Sequence, residues 1–153
     1  MKATQIAFED MASFLEERGF SDLGSVAGNE VVYGKRIPSS IAPLTLRVFT
    51  SFAIGGEYSR AKDSDAIRVI IFTRKDSNDV VSVCNIGRVY RVEGWRENLE
   101  KKINVGFEHA IKECPSCKKF MVLRKNHKTK DLFYGCTSYP ECRYTKPVQL
   151  KLF

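Results

Sequence analysis

The sequence predicts an α+β fold that carries a small cysteine-bearing module at its C-terminal end. Two stretches, near residues 5–18 and 94–111, repeat apolar residues at three- and four-residue steps and read as helices. Between them lie four stretches of strand length that alternate or run apolar. Four of the five cysteines fall after residue 113. Consecutive strands with short connections favour an antiparallel sheet. The expected layout is an N-terminal helix, a four-stranded, mainly antiparallel sheet and a second helix over residues 1–112, then the cysteine module over 113–153.

In the first helix Ile6, Ala7, Met11, Phe14 and Leu15 form the apolar face, with Glu9, Asp10, Glu16, Glu17 and Arg18 between them. Gly19 fits a C-terminal cap. The Gly-, Ser- and Asn-rich run 21–29 reads as a loop. Strand candidates follow at 30–36, 44–52, 66–74 and 80–92. The second alternates clearly: Leu44, Leu46, Val48, Thr50 and Phe52 point one way, Thr45, Arg47, Phe49 and Ser51 the other. Gly87 marks a bulge or bend in the fourth. Residues 75–79 (KDSND) are short and polar enough for a hairpin turn. Trp95, Leu99, Ile103, Phe107 and Ala110 give the second helix a stripe that covers one face of the sheet. The cysteine module begins at Glu113 with no flexible linker before it.

The chain has 153 residues and 43% hydrophobic content, enough for one ordinary core and a small appendage. It holds no run of the roughly 18 apolar residues that a membrane span needs, and its N-terminus turns acidic at once. A soluble, cytoplasmic protein is expected, without a membrane role. The net charge of +7 is confined to one place. Residues 112–153 carry 10 Lys and Arg against 3 Asp and Glu, whereas residues 1–111 carry 15 of each sign. A basic excess this local suits a polyanionic partner, nucleic acid first.

Cys114 and Cys117 form a C-x2-C pair, and Cys136 and Cys142 a C-x5-C pair, with eighteen residues between. Two close pairs joined by a hairpin-length stretch bring four thiolates to the corners of a tetrahedron, the geometry of Zn²⁺. Four protein ligands leave no position for water, so the expected role of the single Zn²⁺ is structural. A redox role for Cys114-Pro115-Ser116-Cys117 is less consistent, because such a motif normally opens a helix in a βαβ setting. A segment this small needs the metal to fold, and binding supplies on the order of 10 kcal/mol.

The stretch Cys114–Thr145 resembles the C-terminal four-cysteine zinc ribbons of bacterial type IA DNA topoisomerases. The likeness rests on Cys114-Pro115-Ser116-Cys117, on Met121-Val122-Leu123-Arg124, and on Asp131-Leu132-Phe133-Tyr134-Gly135-Cys136-Thr137-Ser138-Tyr139-Pro140-Glu141-Cys142-Arg143-Tyr144-Thr145. The pattern Phe-x-Gly-Cys-x-x-Tyr-Pro-x-Cys is its restrictive part. It covers 32 of 153 residues, and Lys118 stands where the family usually has Gly. The resemblance implies a non-catalytic module that binds DNA, chiefly single strands, partly by stacking bases on aromatic rings. Rings and cations interleave across the segment. The candidate nucleic-acid contacts are Lys118, Lys119, Arg124, Lys125, Lys128, Lys130, Phe133, Tyr139, Arg143, Tyr144 and Lys146, while other rings fill the ribbon's own core.

Other features carry less. Arg47, Arg68 and Arg88, with Phe49 and Tyr90, would make a second basic face if they share the side of the sheet away from the helices. The zero net charge of residues 1–111 favours an ordinary solvated face instead. Asp63 and Asp65 read as a solvated turn, and Cys84 as a buried, inert thiol. The single Glu-x-Lys, Glu100-Lys101-Lys102, falls in a helix and not on the strand a nuclease site requires. No catalytic constellation is present in the sequence. The favoured expectation is a non-enzymatic protein that binds single-stranded DNA, or RNA, in the replication, repair or recombination of a bacterium, phage or plasmid. The alternatives are an adaptor that docks a polymerase or another protein partner, through the ribbon or through residues 1–112, and a diverged nuclease using Glu57, Asp63 or Asp65.

Overall fold

A computed structural model describes residues 7–24, 30–39, 43–53, 66–74, 80–108 and 111–148. The expected α+β architecture with a C-terminal four-cysteine cluster is what it shows. Helix α1 spans Phe8–Glu17 and buries Met11, Phe14 and Leu15. Gly19, at φ +86°, ends it. The Gly19 N–H donates to the Glu16 carbonyl at 3.0 Å and the Phe20 N–H to the Leu15 carbonyl at 3.0 Å. This paired closure satisfies two of the orphan carbonyls at the helix end, and Phe20 packs as a buried residue just beyond it. Lys35 adds a cation there, its Nζ donating to the Arg18 carbonyl at 2.8 Å.

The larger sheet has five strands, β1 (Ser21–Asp22), β2 (Glu30–Ile37), β3 (Leu44–Ala53), β4 (Ala66–Arg74) and β5 (Val80–Tyr90), in sequential order. Every pair is antiparallel. The four expected strands are all present. The difference lies in β1, a two-residue edge strand inside the stretch read as a loop, too short to leave an alternation pattern. Gly87 sits at φ +138° beside a register shift, the expected bulge in β5.

Helix α2 (Trp95–Glu108) lies across the face that carries Leu46 and Ile71. It comes so close at Gly106 that a Cβ there would stand 2.2 Å from Leu46 Cδ1. Aromatic pairs tie α1 to this layer: Phe14 and Trp95 have ring centroids 5.4 Å apart, and Phe20 and Phe107 6.4 Å. The helix was expected to reach Ile111. Instead Ile111–Glu113 forms strand β6, because the chain there pairs with the ribbon. Ala110 of the expected stripe is outside the described residues.

Strands β6, β7 (Phe120–Lys125), β8 (Leu132–Cys136) and β9 (Thr145–Pro147) form a second antiparallel sheet in sequential order. Its Met121, Leu123 and Tyr134 are buried and belong to one continuous apolar cluster with the larger domain. The contact runs through β5, where the Cys84 thiol donates to the Leu123 carbonyl at 3.4 Å. The ribbon is therefore docked on the core side of the sheet, beside α2. Among the described residues no helix is long and apolar enough to cross a membrane.

Candidate metal centre and nucleic-acid interface

Two tight turns present the four cysteines. In the first, the Cys114 N–H donates to the Lys119 carbonyl at 2.9 Å and the Lys118 N–H to the Cys114 carbonyl at 2.9 Å. Closing this loop puts Lys118 at φ +65°, the left-handed region that favours glycine. Glycine is the residue suited to that conformation, and this chain bears it with a Lys. In the second turn, Tyr139 and Cys142 donate to the carbonyls of Cys136 and Ser138 at 3.3 and 3.2 Å. The Ser138 N–H donates to Cys136 Sγ at 3.4 Å. Thr137 anchors this turn to β7, its hydroxyl donating to the Phe120 carbonyl at 2.9 Å.

The turns bring all four Sγ atoms within 4.8 Å of one another. Cys114 and Cys142 sulfurs are 3.7 Å apart, Cys117 and Cys136 sulfurs 3.4 Å. Zn–S bonds of about 2.3 Å place tetrahedral sulfurs about 3.8 Å apart, so the set fits Zn²⁺ with little adjustment. Cys114, Cys136 and Cys142 are buried and Cys117 half-buried. The Lys119 backbone N–H, with help from the neighbouring thiols, pulls Cys117 down to about 6. Burial pushes Cys136 up to about 11. A bound cation deprotonates all four thiols. With four thiolates filling the tetrahedron, the site holds its two turns together and offers no open position for a reaction.

Register decides which ribbon residues face outward. Arg124 pairs with Phe133, and Val122 with Gly135, so these share one face of the small sheet, although Val122 is itself buried; Leu123 pairs with Tyr134 on the docked face. Gly135 in turn pairs with Thr145. On the outward face lies a groove of about 350 Å³ lined by Arg124, Phe133, Gly135, Tyr139, Arg143, Tyr144 and Thr145, with Cys136 and Cys142 at its floor. Tyr139 is 66% exposed and Tyr144 37%; Phe133 is half-buried. Arg143 lies 5.8 Å from the centre of the Tyr139 ring. Gly135 keeps the groove open, since a Cβ there would meet Arg124 Cδ at 2.9 Å.

Residues 111–151 match the family model described as the topoisomerase DNA binding C4 zinc finger. The segment is a topoisomerase-type zinc ribbon. A DNA topoisomerase 1 of Methanocaldococcus jannaschii is 39% identical to this chain over 51 residues. That match spans 33% of the chain and only 6% of the relative. No solved structure matches the chain. The ribbon holds one structural Zn²⁺ through Cys114, Cys117, Cys136 and Cys142, and is of a DNA-binding type.

The candidate contact residues fall in four places on the ribbon. Arg124, Phe133, Tyr139, Arg143 and Tyr144 come together in the groove. Lys125, Lys128 and Lys130 are exposed on the β7–β8 hairpin. There Asn126 Oδ1 accepts from the Lys128 and Thr129 N–H groups at 2.8 and 3.1 Å. Lys118 and Lys119 are exposed on the first cysteine turn, and Lys146 stands opposite Tyr134 on β9. Gly135 and Thr145 line the groove too; both stood in the family pattern but not among the candidate contacts, and the register of Gly135 against Val122 and Thr145 puts it there. Tyr134 and Phe120, the latter half-buried, supply the ribbon's own core. Glu57, Asp63 and Asp65 lie outside the described residues.

Proposed function

We propose that this protein binds single-stranded DNA through its zinc ribbon and acts without catalysis, in replication, repair or recombination. The groove of Phe133, Tyr139 and Tyr144 flanked by Arg124 and Arg143 carries this reading. Exposed rings offer stacking surfaces of roughly 1–3 kcal/mol per base, and unpaired bases reach them where duplex bases do not. The hairpin lysines supply phosphate contacts that position the strand without reading its sequence. The metal's part is to tie the second turn, which carries Tyr139 and leads into Arg143 and Tyr144, to the first. Residues 1–112 serve as the scaffold on which the ribbon is docked.

The test is a titration of single- and double-stranded DNA and of RNA at two salt concentrations, with zinc measured on the same sample. Tight, salt-sensitive binding of single strands, lost on chelation, is expected. Equal affinity of the zinc-loaded and zinc-stripped protein, or no measurable binding by either, overturns the reading.

A further inference from the structure

The face of the large sheet turned away from α2 holds a cleft of about 390 Å³ lined by Arg36, Pro43, Leu44, Thr45, Arg47, Phe72, Thr73, Arg74 and Val80. Register explains the clustering. Arg36 pairs with Thr45 on β3, and Thr45 with Phe72 on β4, so three strands contribute to one row. Arg47 stands two residues along β3 from Thr45, on the same face, with its guanidinium 4.7 Å from the centre of the Phe72 ring. Three guanidinium groups thus border one concavity, and no acidic residue lines it among the described residues.

Arg47 differs from Arg18 and Arg68 in its charge pairing. Arg68, on the same face, is paired with Glu30, and Arg18 with Glu100 at 3.2 Å. Among the described residues Arg47 has no carboxylate partner, and its buried Nε, like those of Arg18 and Arg68, has no hydrogen-bond acceptor. Burial lowers its pKa. A partly desolvated cation with an unused donor, set beside a ring and flanked by two exposed arginines, is arranged to take an anion with planar, forked hydrogen bonding.

We propose that this arginine cleft is a second nucleic-acid site that takes backbone phosphates of the single strand held by the ribbon. The proposal rests on the ribbon reading above. The cleft reaches Val80 at one end of β5, and the ribbon docks at Cys84 of the same strand. Four residues of strand span about 13 Å, and β5 is an edge strand of the sheet, so a nucleic-acid strand that reaches both sites passes round that edge from one face to the other. Val80 and Val81 at that edge are 40% and 39% exposed.

The test uses the zinc-loaded full chain, the double variant Arg36→Ala/Arg74→Ala, and thymidine oligonucleotides of two lengths, one short enough for the ribbon alone. Both arginines are exposed, so the fold is retained. On the long oligonucleotide the variant is expected to bind about tenfold more weakly, with the salt slope reduced by about 1.4 for two lost phosphate contacts. On the short one it should match the unaltered protein. The Nε–H nuclear magnetic resonance of Arg47, assigned with Arg47→Lys, should shift on adding the long oligonucleotide. An unchanged affinity, slope and Arg47 resonance overturns the cleft while leaving the ribbon reading intact. No binding of either oligonucleotide by the unaltered protein overturns both. A variant equally weakened on both lengths assigns its effect to the ribbon and also overturns the cleft.

Discussion

Lys118 shows how much a single backbone angle constrains a metal turn. At φ +65° a residue with a Cβ bears a cost of roughly 1–2 kcal/mol, while glycine bears about 0.5–1 kcal/mol of extra unfolded-state entropy. Lys118→Gly should therefore raise the stability of the zinc-loaded protein by about 0.5 kcal/mol, and Lys118→Val should lower it by about 1 kcal/mol, as read by denaturant unfolding. Neither should change zinc stoichiometry. Tyr139 and Tyr144 belong to the opposite class, rings exposed on the surface. Tyr139→Ala and Tyr144→Ala are each expected to weaken single-strand binding about five- to one-hundredfold, with unfolding midpoints within experimental error of the parent. A loss of stability equal to the loss of affinity would show the rings to be structural. The four ligands were legible from spacing alone, because C-x2-C and C-x5-C restrict the local chain. The sorting of Phe133, Tyr134, Tyr139 and Tyr144 into exposed and buried was not, because it depends on strand register and on which face docks.

At the scale of elements, local signals located the long ones. The apolar stripe and Gly19 defined α1 and its end, and alternation defined β3 with the Leu44, Leu46 and Val48 side inward. Signals failed where a partner decides. Ser21–Asp22 is a strand because β2 lies beside it, and Ile111–Glu113 leaves the helical pattern because β7 offers a ladder. Gly106 marks another tertiary constraint, the close approach of α2 to β3. Alanine there gains about 1 kcal/mol of helix propensity but forces the fully buried Leu46 to move, at about 1–3 kcal/mol. Gly106→Ala is thus expected to destabilise by about 1 kcal/mol in denaturant unfolding. A stabilised variant would show that the two elements have room to separate.

For the whole molecule, the ribbon and the α+β domain share one apolar cluster, with Cys84 at the seam. Burial pushes the Cys84 thiol up from 9.0 to about 11. The folded state then holds this proton more tightly than the unfolded chain. That contribution is complete below about pH 9 and is lost as pH rises toward 11, on the order of 2 kcal/mol. Lys102, lowered by burial and then by Lys125, acts in the other direction. The comparison of parent with Cys84→Ala isolates the thiol: the parent should lose more stability between pH 8.5 and about 10.5. Docking makes a second prediction. In the zinc-loaded protein Cys84 should resist maleimide labelling, and chelation should expose it together with the four ligands, as mass spectrometry would show. Labelling of the four ligands alone would mean that the ribbon unfolds without disturbing the seam.

The sequence by itself determined the fold class, the extents of the principal helices and strands to within a few residues, the metal and its ligands, and the confinement of the positive charge to one module. Each of these is written in local spacing, which fixes a turn, a period or a ligand set without reference to the rest of the chain. Tertiary structure decided which face of the ribbon is free, which rings line a groove, and that Arg36, Arg47 and Arg74 from three strands meet around Phe72. Those outcomes depend on register and docking, where residues far apart in sequence become neighbours. A one-residue shift in pairing would have turned a groove into a core.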